Sequence, residues 1–357
     1  MYINKVFILV PAAVLDSPVK GAAALANALV QEFTVTFVAI KGDFTHFNLL
    51  NKSVNVIALE SFGSLLKRFF ALRKMLSDSG GRESVACISS CLSADFFNSC
   101  CCDVALTCSS VRGNLPEVYP GTYGIVGRWL AYLHLNRLTK VDHVISMTSS
   151  MSNMVERYIG RPSQVIGNFI DENPLDKYRR TATNTGDYKF VYTGSLINGK
   201  KPGLLVSAIA DLIARGIKAK LDIFGDGPLL IQLKEQAKQL DIFNDVVFHG
   251  FVNKPFRRVA EADVLVLPSL SEGVSRSVLE GLYLGVPCVL RDTDGNSEVI
   301  TSGVNGELFR DESNLADIML RVAERSRSEN LFREILSPTI FRQQTAVEQY
   351  IKILTAC

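Results

Sequence analysis

Ser271-Glu272-Gly273-Val274-Ser275-Arg276-Ser277-Val278-Leu279-Glu280-Gly281-Leu282-Tyr283-Leu284-Gly285-Val286-Pro287 joins two apolar runs of different period. Ahead of it, Val264 to Leu267 has the composition of a buried strand, which Pro268 and Gly273 interrupt. Behind it, Val278 to Leu284 reads as a buried helix closed by Gly285 and Pro287. Between Arg276 and Arg291 the only charged residue is Glu280. A carboxylate on an otherwise apolar helix is costly unless a donor reaches it. The segment therefore holds an acceptor in reserve for a donor supplied from outside, and vicinal sugar hydroxyls are such donors. Glu272 falls in the loop at the carboxyl end of a strand, where open α/β sheets place their ligands. The amides of Gly273, Val274 and Ser275, followed by Arg276, form a helix start suited to phosphate.

Working outward, the same strand-then-helix alternation fills the chain. In the first half, strands are expected at Val6 to Val10, Val35 to Ile40, Val54 to Leu59, Ser84 to Ser89, Asp103 to Cys108 and Asp142 to Met147. In the second half they are expected at Tyr188 to Thr193, Lys220 to Phe224, Val246 to Phe248, Val264 to Leu267 and Pro287 to Leu290. Such alternation implies an α/β protein with two doubly wound, Rossmann-like domains, which we expect to face each other across a cleft. The polar stretch after Asp171 divides them. The expected boundaries are an N-terminal domain over 1–170, a linker over 171–187, a second domain over 188–337, and a terminal helical stretch over 338–357.

The pair of glutamates in a Glu-x7-Glu spacing, followed by Gly-x-Pro and a β-branched strand, resembles the signature of glycosyltransferase family 4. That resemblance implies the GT-B fold and a retaining, nucleotide-sugar-dependent hexosyltransferase, with 1–170 as the acceptor-side domain, 188–337 as the nucleotide-sugar-binding domain and the 338–357 helix crossing back to the first domain. It implies that Glu272 holds the donor sugar and Glu280 the ribose. Tyr192 to Pro202 resembles the family loop whose lysine neutralises the departing diphosphate. Lys200 stands at that position, Lys201 beside it, and Ser195 replaces the family's arginine. Gly225-Asp226-Gly227-Pro228 lacks the third glycine of a dinucleotide fingerprint but resembles the family's strand-ending turn beside the nucleotide, which makes Gly227 a donor contact. Val246 to Val252 resembles the segment bordering the base and contributes Phe251; a packed or surface role is expected for His249. Gly295 in Asp292 to Glu298 is expected to shape a turn near the donor. In the first half, Gly21 is expected to begin a helix and approach the donor. Lys20, Asp95 and Arg112 are candidate acceptor contacts, with Arg112 in a loop after a strand ending at Cys108.

Composition narrows the remaining choices. At 357 residues the chain is long enough for two cores, and a net charge of +2 gives no general attraction to nucleic acid. Cys100-Cys101-Cys102 fits neither a disulfide framework nor zinc-ligand spacing and reads as buried, reduced thiols of a cytoplasmic protein. No apolar run reaches the length of a transmembrane helix. The Ser64 to Leu76 stretch is basic and apolar at helical spacing, which suits either a solvated helix edge or peripheral contact with an anionic membrane at its inner face. The family resemblance implies a transferase that moves a sugar from a nucleoside diphosphate to a growing glycan or lipid-linked oligosaccharide, as in O-antigen or other cell-surface polysaccharide synthesis. It would use no cofactor and no metal. A sugar-nucleotide epimerase and a non-catalytic nucleotide-sugar-binding protein are the alternatives.

Overall fold

The computed structural model describes residues 2–45, 47–179 and 186–356. It divides into two compact units, one of residues 1–170 with 340–357 and one of residues 171–339. The first unit contains the strands β1 (Lys5–Ala12), β2 (Thr34–Lys41), β3 (Asn55–Ala58), β4 (Val85–Ser90), β5 (Leu106–Val111), β6 (His143–Ser146) and β7 (Gln164–Val165). All pair in parallel, in the order β3-β2-β1-β4-β5-β6-β7. Its helices are α1 (Ser17–Leu29), α2 (Leu65–Asp78), α3 (Leu92–Asn98), α4 (Leu115–Leu138) and α5 (Ser149–Ile159).

The second unit contains β8 (Tyr188–Thr193), β9 (Ala219–Phe224), β10 (Val246–Gly250), β11 (Val264–Leu267), β12 (Cys288–Arg291) and β13 (Gly306–Phe309), parallel in the order β10-β9-β8-β11-β12-β13. Its helices are α6 (Gly203–Ala214), α7 (Leu230–Gln239), α8 (Phe256–Ala260), α9 (Arg276–Tyr283), α10 (Asp294–Val299) and α11 (Leu315–Ser328). The last helix, α12 (Gln343–Thr355), packs on the first unit, where Ala346, Tyr350, Ile353 and Leu354 join Val19, Ala22 and Leu25 of α1 in one apolar cluster. The helix expected from Pro338 starts five residues later, because residues 339–341 form a 3-10 turn.

The strands β1, β2 and β11 are buried on both faces and are apolar almost throughout. In β1 the alternation of side chains sends Val6, Ile8 and Val10 towards α1 and α12, and Phe7 and Leu9 towards α2 and α3. The expected strands are present, and two are added. β7 has two residues and β13 opens on Gly306, so neither carries a hydrophobic run that composition could reveal. β5 runs three residues further than expected, and Ser109, Ser110 and Val111 are buried strand positions rather than loop. Residues 180–185 of the expected linker lie outside the described residues. Ahead of them, Asp176 accepts a 2.6 Å hydrogen bond from Tyr283 of α9. Among Cys100, Cys101 and Cys102 only Cys101 is buried, and Cys102 is exposed. No helix of the described residues is long and apolar enough to cross a membrane.

Candidate functional site

The second unit gathers its functional side chains where β8, β9, β11 and β12 end. Glycine allows these turns to stack. The Gly194 amide donates to Phe224 O at 2.9 Å, Leu196 to Asp226 O at 2.9 Å, and Gly225 to Gly250 O at 2.8 Å. A Cβ on Gly225 would lie 1.8 Å from Gly194 O, and one on Gly227 would lie 2.5 Å from Leu196 O. The Gly-x-Gly spacing therefore serves the approach of two backbone turns. Gly295 does the same for the motif loop. A Cβ there would stand 1.4 Å from Gly273 O, so the first turn of α10 is pressed against the loop that carries Glu272.

Within this frame Lys200 meets Glu272. The ammonium donates directly to the carboxylate, with the side chains 27% and 10% exposed. Neighbouring backbone holds the approach, since Leu270 N donates to Gly199 O at 2.9 Å. Lys200 ends the 3-10 turn Asn198–Lys200, and Lys201 follows in the left-handed region at φ 48° with an exposed side chain. The lysines thus precede α6 instead of opening it, and the turn, not helical geometry, separates them. Ser195 is exposed, while its carbonyl accepts from Tyr192 Oη at 2.9 Å. Burial, reinforced by the charge of Glu272, holds the Tyr192 hydroxyl far above its ordinary range, so it stays a proton donor.

α9 begins at Arg276, with Ser275 in extended backbone as its cap residue. Ser277 Oγ donates to Thr193 O at 3.1 Å and lies 3.0 Å from Ser275 Oγ, which fixes the helix start against the end of β8. Gly273 is half-buried and Val274 is buried. Glu280 lies half-buried on the same helix. Asp171 was not singled out from sequence, because its polar surroundings read as linker. Burial raises its carboxyl pKa against the opposing pull of Arg276 and Lys254. Phe251 is 63% exposed at the end of the β10 turn. His249 stacks on Phe224 with ring centroids 4.2 Å apart and bonds Asp222, which is the packed role expected for it.

In the first unit the structure revises two expectations. Asp16 caps α1 by accepting from Val19 N at 2.9 Å, so Gly21 lies inside the helix and does not begin it. Gly21 is buried, and a Cβ there would be 2.7 Å from Arg112 Nη1. Its lack of a side chain makes room for the guanidinium, which donates to Asn168 Oδ1 at 3.0 Å. Lys20 is half-buried one residue earlier in α1. Asp95 is fully buried on α3, not set at a sheet edge open to an acceptor. Its Oδ1 accepts from Ser89 Oγ at 2.5 Å and Ser109 Oγ at 2.7 Å, and its Oδ2 lies 2.6 Å from His134 Nε2. His134 Nδ1 in turn is 2.8 Å from Tyr119 Oη. A lone histidine in an apolar helix gave no sequence signal for this chain of hydrogen bonds.

The second unit thus brings Lys200, Glu272, Ser195, Gly227 and the Gly273 to Arg276 segment onto one sheet edge, as parallel α/β sheets do with their ligand groups, with Glu280 further along α9. A phosphate offered to Lys200 and a hydroxyl offered to Glu272 can replace the two halves of their ion pair. Residues 176–335 match the family described as glycosyl transferases group 1. The putative glycosyltransferase EpsF of Bacillus subtilis is 35% identical over 94 residues, 26% of this chain and 24% of that protein. The N-acetyl-alpha-D-glucosaminyl L-malate synthase of Bacillus anthracis is 25% identical over 222 residues, 58% of each chain. The chain therefore spans between about a quarter and six tenths of the length of these relatives. Anabaena HepE, solved in complex with UDP, superposes with a TM-score of 0.78 at 17% identity, covering 99% of this chain and 100% of the other. Residues 176–335 thus match the glycosyl transferases group 1 family, in a chain whose parallel α/β units have the fold of Anabaena HepE.

Proposed function

We propose that the protein is a glycosyltransferase that moves a sugar from a nucleoside-diphosphate sugar to a growing glycan or lipid-linked oligosaccharide in cell-surface polysaccharide synthesis, with retention at the anomeric carbon. The pairing of Lys200 with Glu272 at the sheet edge carries this reading. The bond from C1 to the diphosphate breaks, and a bond from the acceptor oxygen to C1 forms on the same face. The departing phosphate oxygen takes the acceptor proton. Lys200 and the amides beginning at Gly273 stabilise the charge that develops on the diphosphate, a term that can dominate a barrier. Glu272 holds sugar hydroxyls and Glu280 the ribose. Lysine and backbone amides supply the positive charge, so no metal takes part. The group 1 match and the UDP complex of a structural neighbour support the choice of donor. A peripheral contact at the inner face of the membrane, through the basic helix α2, belongs to the same reading.

The test is product analysis with a panel of nucleotide sugars, preceded by thermal stabilisation. A donor at about 100 times its Kd should add roughly 2.7 kcal/mol. Sugar transferred to an acceptor with unchanged anomeric configuration, at a rate insensitive to excess EDTA, is the expected result. A changed donor sugar would make the protein an epimerase, binding without turnover would make it a sensor, and inversion would remove the retaining mechanism. Loss of activity in EDTA, restored by magnesium or manganese, would replace Lys200 as the chief stabiliser.

A further inference from the structure

α4 breaks at Gly124, where φ is 60°. Beyond the break, a Cβ on Gly127 would lie 2.1 Å from Tyr119 O, so the two halves of the helix meet at backbone distance. The residues that follow the break face outward. Ile125 is 91% exposed, Val126 64%, Trp129 66% and Tyr132 62%. These positions share one helical face, while Ala131, Leu135 and Leu138 bury the opposite one. A helix that is apolar on its buried side and again on its solvent side has a partner still to meet.

The same layer holds a second apolar strip. On α2, Leu66 is 71% and Phe70 64% exposed. α2, α3 and α4 are knit together, with Phe69 edge-on to Phe97 at 5.7 Å and the Arg137 guanidinium 4.2 Å from the Phe96 ring. Charge distinguishes the kind of partner. Neither the stretch from Ser61 to Ser77 nor that from Val118 to Val141 contains a carboxylate, whereas Lys67, Lys74, Arg128 and Lys140 are exposed in them. Exposed aliphatic and aromatic residues interspersed with cations, with the exposed carboxylates Glu60, Asp78 and Glu117 only at the ends of the two stretches and Asp103 paired with Arg73, match a negatively charged, hydrocarbon-backed surface, with Trp and Tyr suited to the headgroup level.

We propose that the outward face of the α2–α3–α4 layer docks on an anionic lipid bilayer, with the strip from Ile125 to Tyr132 entering the headgroup region. This deepens the membrane contact proposed for α2. It does not rest on the transferase chemistry, and a failed transfer assay leaves it untouched.

The chain has a single tryptophan, Trp129, so its own fluorescence reports the contact. The full chain is mixed with phosphatidylglycerol vesicles and, separately, with phosphatidylcholine vesicles. The expected result is a blue shift of Trp129 emission, quenching by brominated acyl chains and co-sedimentation, all with phosphatidylglycerol and weakened by salt. The double substitution Ile125→Glu with Val126→Glu, at exposed sites, should lower vesicle binding about tenfold or more while the circular dichroism melt is unchanged. Unshifted emission with the protein left in the supernatant would overturn the proposal. So would a vesicle-independent shift that rises with protein concentration together with a dimer in light scattering, since the face would then belong to a second copy. Unaltered vesicle binding by the double variant would equally remove the α4 strip from the contact.

Discussion

At the edge of the second sheet Lys200 and Glu272 meet with side chains 27% and 10% exposed, whereas in the first unit His134 and Asp95 meet at 2% and 1%. Both are short contacts between a nitrogen donor and a carboxylate, but their surroundings assign them different work. Glu272 reaches solvent and Lys200 reaches it further, so a ligand can exchange its own phosphate and hydroxyl for their mutual contact. Asp95 is enclosed by Ser89, Ser109 and His134, and every hydrogen bond it loses is a buried loss. The first arrangement suits binding and turnover. The second suits a rigid support, with Tyr119 at its outer end.

The largest effect should come from breaking the buried side of this comparison. Asp95→Ala leaves His134 and two serines without their acceptor, and should lower stability by about 3 to 5 kcal/mol in denaturant unfolding. The folded fraction should still bind donor nucleotide normally. An unchanged unfolding midpoint would show that the network does not support the unit.

Next in size is the exposed side. Lys200→Ala should reduce turnover on the order of 10²-fold by analogy with the loss of one oxyanion donor, with donor binding less affected and melting unchanged. Lys201→Ala should be mild, because its side chain leaves a left-handed turn into solvent. Single-turnover rates for both variants decide the point. A severe Lys201→Ala would shift the assignment by one residue, and two mild variants would remove lysine from the mechanism.

A third test uses an intermediate degree of burial. Burial pushes the Asp142 carboxyl up, but Arg82 and two bonds from Thr107 outweigh it and hold the group below its ordinary value near 3.8. An acid held lower in the folded chain than in the unfolded one contributes stability above the unfolded pKa and loses it as pH falls through the folded value. Asp142→Asn should therefore cost about 2 kcal/mol at neutral pH, and the gap to the parent should narrow below about pH 4. A gap independent of pH would mean that shape, not charge, is what Asp142 supplies.

The smallest effect is expected for Glu280→Gln, which keeps size and loses charge. Donor affinity should fall about tenfold, the equivalent of one charge-assisted hydrogen bond, with little change in folding. Calorimetric titration with the nucleoside diphosphate alone checks whether the loss lies in the ribose contact. Unchanged affinity would remove that assignment.

Much of the fold was legible because each strand covered on both faces is a short apolar run, and each glycine turn interrupts one. β7 and β13 escaped for the same reason, since they are short or open on glycine. The candidate site was legible where chemistry is local in sequence. Gly225 and Gly227, or Glu272 and Gly273, stand at strand ends whatever the rest of the chain does. Composition cannot supply distances between segments remote along the chain. Lys200 lies 72 residues from Glu272, and His134 lies 39 residues from Asp95. Gly21 looked like a phosphate loop because small residues do gather there, yet its space is filled by Arg112 from a different strand end. Gly295 looked like a turn residue, yet its contact is the backbone oxygen of Gly273. The sequence by itself determined two parallel α/β units and the residue types at their strand ends, through period and local turn chemistry. Only the tertiary structure decided which of those side chains are buried, which are paired and which reach solvent, because each of these depends on close packing of segments far apart in the chain.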